Sequence, residues 1–283
     1  MAETRATIRN DIRSKLHAWP DIVTTLSAAI TTTTATSLTL TSGTGVSDRM
    51  LLEIDSEIIL VVTFSGTTVS VMVRGYMGTT AATHSNGATV NGYPFWGWTD
   101  TSINRAIDKA MDWLGESGVW TLVPKSNTFL SGFREFGLPS GTFYPNGDIV
   151  KRIEILDTDG VYKEILGWRH MGDRIILNQV TTQDWSVRIW VQTRQARLSS
   201  DSTQLDNVAF SEAIIMYCTA RLMEELVANR TRYYEYSASL NDRASTPDEL
   251  QRTAYFFFNQ ATILADKMSR PGLSGFAAII KPY

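Results

Sequence analysis

The sequence predicts an α+β fold: an antiparallel helical bundle formed by N-terminal, central and C-terminal helices, with two antiparallel β-rich insertions and an extended C-terminal tail. Three observations predict it. Apolar residues recur at helical spacing near both ends and in the middle of the chain, β-branched and aromatic runs fill the intervals between them, and the last residues are apolar but broken by Pro and Gly.

Residues 1–27 hold the first helix, with Ile8, Ile12 and Leu16 on one face among Arg9, Asp11, Arg13 and Lys15, and Pro20 stops it. Residues 28–95 read as a β module, with strands at 37–40, 50–54, 57–62 and 69–73 and tight turns at Asp55-Ser56 and Ser65-Gly66. Residues 96–119 return to helical period through Ile103, Ile107, Met111 and Leu114, capped by Thr99 or Asp100 and ended by Gly118. Residues 120–200 form a second β-rich module, with strands at 128–130, 149–156, 163–166, 174–177 and 186–192.

Residues 201–269 complete the helical body with two long helices. The first runs from about Asp206 to about Tyr236 through Phe210, Ile214, Tyr217, Met223 and Val227. The second opens at Thr246-Pro247-Asp248-Glu249, where Thr caps, Pro takes the first helical position and Glu reaches back to the cap; Leu250, Ala254, Phe257, Ala261, Leu264 and Met268 then form its apolar stripe. Residues 270–283 are the tail, whose Leu273, Phe276, Ile279, Ile280 and Tyr283 have to bury themselves against something.

Composition sets bounds on function. Hydrophobic residues make up 43% of the 283 and charged residues 19%, a folding composition. A net charge of -3 supplies no global field for nucleic acid, so any DNA contact is local. The single cysteine, Cys218, makes no intrachain disulfide and fits cytoplasmic synthesis. The N-terminal residues lack the layout of a secretory signal, and no stretch approaches the roughly 20 apolar residues of a membrane span, which predicts a soluble protein with no membrane partner.

Searching for chemistry yields no catalytic, cofactor-binding or metal-ligating assignment, and a non-enzymatic protein is expected. His17, His84 and His170 stand apart from one another and from Cys218. The glycines at 43 and 45 precede no Lys-Ser or Lys-Thr, and residues 131–137 depart from a nucleophile elbow. Asp157 and Asp159 belong to a turn, and Glu224 and Glu225 to a helix face. Phe95, Trp96 and Trp98 either pack the β module on the helices or hold a ligand or partner. Arg230 and Arg232, followed by Tyr233, Tyr234 and Tyr236, either line a channel carrying DNA or form a solvated helix end or subunit contact.

Residues 73–90, Val-Arg-Gly-Tyr-Met-Gly-Thr-Thr-Ala-Ala-Thr-His-Ser-Asn-Gly-Ala-Thr-Val, resemble a stretch of virion proteins of tailed phages of the form Arg-Gly-x-x-Gly-Thr-Thr-Ala-x-x-His-x-x-Gly-x-x-Val. Arg74, Gly75, Gly78, Thr79, Thr80, Ala81, His84, Gly87 and Val90 all fit it. The order of helices, β insertions and apolar tail is similar to the head-to-tail adaptors (connectors) of short-tailed phages. That resemblance implies a homo-oligomeric ring, twelve-fold in the family, which joins the portal protein to tail or nozzle proteins at the head-tail junction of the virion. It also implies assembly in the host cytoplasm and passage of viral DNA during ejection. On this reading the tail residues Leu273, Phe276, Ile279, Ile280 and Tyr283 dock on the portal, and Arg230 and Arg232 are candidates for a DNA channel. The alternative is a tail or baseplate protein that binds the host surface or another tail subunit.

Overall fold

The computed structural model describes residues 3–138, 150–205, 207–239 and 246–269. The chain divides into two compact units, one built from Met1–Trp113 with Arg197–Asp266 and the other from Leu114–Ala196 with, among the described residues, Lys267–Ser269.

The first unit is organised by a six-stranded antiparallel sheet of β1 (Ile22–Thr25), β2 (Leu38–Thr39), β3 (Leu51–Ile54), β4 (Glu57–Ser65), β5 (Thr68–Val73) and β6 (Thr89–Tyr93), in the order β1-β6-β3-β4-β5-β2. It curls into a half-barrel whose two edge strands meet. A bridge joins Leu26 to Leu40, just beyond β1 and β2, and the Ser27 and Thr41 amides donate to the Thr39 and Thr25 carbonyls at 3.0 and 2.8 Å. This contact occupies the two edges that an open sheet would leave unpaired. Alternation along the strands sends Leu52, Ile54, Ile59, Val61 and Val90 to the concave side, where they join Leu26, Leu40, Val69 and Met72 in one core. Leu51, Ile58 and Tyr93 point to the convex side and pack with Leu60, Tyr76, Met77 and Phe95.

Around the sheet stand α1 (Arg5–Leu16), most of α2 (Asp100–Glu116), α3 (Ser211–Ala228), α4 (Arg230–Ser239) and most of α5 (Pro247–Ser269). Thr4 caps α1 in a box closed by Thr7, and Ile8 and Ile12 are buried beneath it. Thr99 caps α2, its hydroxyl accepting from the Ser102 amide at 3.2 Å. The expected cap of α5 forms: the Thr246 amide donates to Glu249 Oε2 at 2.7 Å and the Glu249 amide to Thr246 Oγ1 at 3.3 Å. The single helix expected from about Asp206 to Tyr236 is instead two, because Asn229 leaves helical geometry and its side chain opens α4 by accepting from the Arg232 amide at 3.2 Å. Trp113 of α2 stacks on Tyr217 of α3 at 4.7 Å, with Phe258 of α5 against both.

The second unit contains two antiparallel sheets. One has the order β10-β9-β13-β7, from β7 (Thr121–Phe129), β9 (Val150–Leu156), β10 (Tyr162–Glu164) and β13 (Trp185–Thr193). The other, β11-β12-β8, comprises β8 (Glu135–Gly137), β11 (Trp168–Met171) and β12 (Arg174–Leu177). They share one core, in which Phe129 of β7 stacks on Phe136 of β8 at 4.1 Å and 7°. Along β13 the alternation is clean, with Val187, Ile189 and Val191 in that core and Arg188 and Trp190 on the other face.

This architecture corrects the fold class. The chain is mostly a sheet protein, with thirteen strands in three sheets beside five helices among the described residues, not a helical bundle carrying small β insertions. The reason is long-range pairing. β1, at residues 22–25, was not expected to be a strand, yet it pairs with β6 in full register from Ile22–Gly92 to Thr25–Thr89 and carries the chain into the Leu26 contact. The half-barrel therefore has a core of its own, and helices pack around it.

Phe129 links the two sheets of the second unit, so Phe129→Ala should lower unfolding stability by about 3–5 kcal/mol in denaturant titration. An effect below about 1 kcal/mol would show that the sheets do not depend on this contact.

Candidate functional site

Residues 73–90 and the β3–β4 hairpin build one polar cluster. Glu57 opens β4 opposite Ile54, so its side chain shares the concave face with that core residue and is fully buried. A carboxylate there requires complete hydrogen bonding. Arg74, directly after β5, donates from Nε to Oε1 at 2.6 Å and from Nη2 to Oε2 at 2.7 Å, a two-pronged pair. The Gly75 amide donates to Oε1 and the Ala82 amide to Oε2, both at 3.0 Å, and His84 Nε2 lies 2.8 Å from Oε2. The other ring nitrogen of His84 is 2.8 Å from Asp55 Oδ2 at the hairpin turn. Arg74 also donates to the carbonyls of Thr32, at 3.3 Å, and Ala82.

The remaining consensus residues shape the loop around this carboxylate. Gly75 has φ +61, and a Cβ on it would stand 2.8 Å from the Thr79 carbonyl oxygen, so only glycine fits. Thr79 Oγ1 accepts from the Ile58 amide at 3.0 Å and donates to the Tyr76 carbonyl at 2.9 Å. His84 exchanges backbone hydrogen bonds with Ile30 at 2.8 and 2.9 Å, holding the loop after β1. Burial alone would raise the Glu57 carboxyl, but the Arg74 hydrogen bonds, the Ala82 amide, His84 and the Gly75 amide outweigh it and hold it at about 2. Every group in the cluster is engaged by another member, so the arrangement is a lock on shape.

A second network ties helices to the convex side. Glu53 is buried and accepts from the Asp100 and Thr101 amides at 2.8 and 2.6 Å, placing a carboxylate on the N-terminus of α2; burial raises its carboxyl. Arg13 reaches Asp100 and donates to Tyr93 Oη at 3.2 Å, while Arg9 forms a two-pronged pair with Asp201 at 2.7 Å in each arm. Arg105 of α2 donates to the Met77 and Gly78 carbonyls at 2.7 and 2.9 Å, clamping the loop after β5 from outside.

Among the sequence candidates, Arg230 is exposed. Arg232 is buried, only 4% exposed, and donates to the Trp96 and Gly97 carbonyls at 2.8 and 2.9 Å. Its place is inward, because the backbone of residues 96–97 supplies the acceptors. The portal-docking candidates Leu273, Phe276, Ile279, Ile280 and Tyr283 lie outside the described residues. Phe95 and Trp96 border a cleft of about 300 Å³ with Asp21, Asp48, Arg49 and Glu235, while Trp98 is buried and donates to the Leu222 carbonyl at 3.2 Å. His17 forms the left-handed cap of α1, and Cys218 is buried, which raises its thiol. Among the described residues no group of His, Cys, Asp and Glu could hold a metal ion, and no helix is long and apolar enough to cross a membrane.

Sequence reading missed Glu57 as the centre of the cluster. The available signal was an acid opening an otherwise apolar run, Glu-Ile-Ile-Leu-Val-Val, upstream of an arginine that ends a strand.

No protein-family model and no curated protein matches the chain. Among solved structures it is similar to a chain of the "Neck of empty GTA particle computed with C6 symmetry", at 15% identity over 58% of this chain and 81% of that one, with a TM-score of 0.23. A likeness that weak shows neither a shared fold nor a shared role.

Two outcomes test the lock. Arg74→Met leaves a buried carboxylate without its cation and should cost about 3–5 kcal/mol of stability. Because Glu57 is held at about 2, below the ordinary 4.5, its contribution is complete above pH 4.5 and disappears as pH falls through about 2. The stability gap between the wild-type chain and Glu57→Gln, measured by urea titration, should narrow over that window; a gap independent of pH would contradict it.

Proposed function

We propose that this chain is a non-enzymatic structural subunit of a tailed-phage particle, and more narrowly a head-to-tail adaptor whose ring joins the portal to the tail. The observation that supports it is the cluster around Glu57. The residues that resemble phage virion proteins, Arg74, Gly75, Thr79 and His84, are committed to holding a half-barrel in shape, which suits a part whose job is geometry.

A ring subunit needs lateral surfaces that close under rotation and an element that reaches the next component. The apolar segment with Leu273, Phe276, Ile279, Ile280 and Tyr283 is the proposed portal anchor. Arg230 is the proposed channel-facing cation, and Arg232 has no part in that role because its guanidinium is turned inward. The virion location, assembly in the host cytoplasm, a twelve-fold copy number and passage of viral DNA come with the adaptor reading.

A second reading, a tail or baseplate subunit that binds host glycan, is favoured by the cleft where Phe95 and Trp96 stand beside Asp21, Asp48 and Glu235. Asp21 and Asp48 there can accept from sugar hydroxyls, while Arg49 covers the Phe95 ring at 5.3 Å and pairs with Glu235.

Truncation after Ser269 separates the readings. The adaptor reading expects rings on portal-bearing heads by electron microscopy for the full chain and loss of attachment for the truncated one. Undiminished attachment would remove the docking role, and specific binding of the full chain to host cells in place of heads would favour the second reading.

A further inference from the structure

The break between α3 and α4 falls where the residues favour an unbroken helix. Residues 226–232, Leu-Val-Ala-Asn-Arg-Thr-Arg, contain neither proline nor glycine, the common causes of a sharp kink. The charges at the joint are reversed for two helix ends: the last turn of α3 carries Glu225 and no base, and the first turn of α4 carries Arg230 and Arg232 and no acid. Acid at a C-terminus and base at an N-terminus both oppose the helix dipole, a cost that disappears when the two helices are one. The backbone ladder is almost continuous as well. The Asn229 amide still donates to the Glu225 carbonyl at 3.2 Å and the Tyr233 amide to the Asn229 carbonyl at 2.9 Å, so only the rungs from the Arg230, Thr231 and Arg232 amides are missing.

Tertiary contacts hold the two helices apart. Arg232 donates to the Trp96 and Gly97 carbonyls, Glu235 pairs with Arg49, and Tyr236 packs edge-on against Trp96 at 5.1 Å. Two of these contacts run against local preference. The Arg232 guanidinium forms no ion pair among the described residues, its Nε is buried without a hydrogen-bond partner, and burial works against its charge. Arg49 sits at φ +68, a left-handed backbone that a residue with a Cβ adopts at a cost. The seat of α4 is therefore opposed both at the joint and at its own anchors.

We propose that α4 is a hinged lid. Seated, it supplies Glu235 as a wall of the cleft at Phe95 and Trp96; released from residues 96–97, it joins α3 in one continuous helix from Ser211 to Ser239 and leaves that cleft open. Seat, joint and cleft all belong to the first unit, so the lid does not rest on either reading of function.

Amide hydrogen exchange of the full chain, followed by NMR, reads the joint directly, because the Arg230 and Thr231 amides lack helical acceptors while α4 is seated and gain them when it is released. Arg232→Met removes the inward guanidinium, and Glu235→Lys, at a half-buried position, sets like charges against Arg49. Each should slow exchange of those two amides at least about tenfold while residues 233–237 keep their protection. Asn229→Ala, which leaves every anchor in place, should leave the two amides as exposed to exchange as in wild type. A cooperative thermal transition confirms that each variant is folded, and Glu235→Lys decides the matter if Arg232→Met is not. Exchange unchanged in the folded anchor variants would overturn the proposal. So would loss of protection across residues 233–237, which means that α4 unravels, or slow exchange in Asn229→Ala, which assigns the break to the asparagine alone.

Discussion

The burial of one carboxylate constrains the whole first unit. Glu57 sits on the concave face of a hydrocarbon-lined half-barrel, a place where an unmatched charge would not survive folding. Arg74, Gly75, Ala82 and His84 must therefore converge on it, and to converge they must draw the chain after β5 back across the hairpin of β3 and β4. The same loop fastens to Thr32 and Ile30, which fixes the approach of the segment between β1 and β2. The path of the loop after β5 and its hold on the segment between β1 and β2 thus both follow from solvating one ion with protein.

The convex side applies the same chemistry to helix placement. Glu53, one residue before Ile54 and so on the opposite face, offers its carboxylate to the free amides at the start of α2. Arg9 and Arg13 then attach α1 to Asp201 and Asp100. Two acids four residues apart on adjoining strands, facing opposite ways, divide the work between barrel and helices. Their carboxyls respond oppositely: Glu57 is held down by a cation and three further donors, whereas burial prevails at Glu53 and raises it.

Local features were readable from the residues. The box at Thr246 and Glu249, the turn at Asp55-Ser56 and the alternation along β13 all arise from neighbours in sequence, where propensity and side-chain spacing decide the outcome. What the residues did not disclose was pairing at a distance. β1 is only four residues of Ile-Val-Thr-Thr after a proline, with no periodicity long enough to announce it, and its partner β6 lies more than sixty positions away. The break at Asn229 was hidden for a related reason, since asparagine tolerates a helix well enough that only its side-chain bond to the Arg232 amide reveals the restart. Arg232 looked like surface charge because nothing nearby in sequence marks the carbonyls of residues 96 and 97 as its acceptors. At the cluster, the motif was visible as a pattern, but its centre lies outside it.

Every partner of the Glu57 carboxylate comes from residues 74–84, so its solvation is local, and contacts of the same loop with Thr32, Ile30 and Arg105 fasten that locally solvated ion to the rest of the unit.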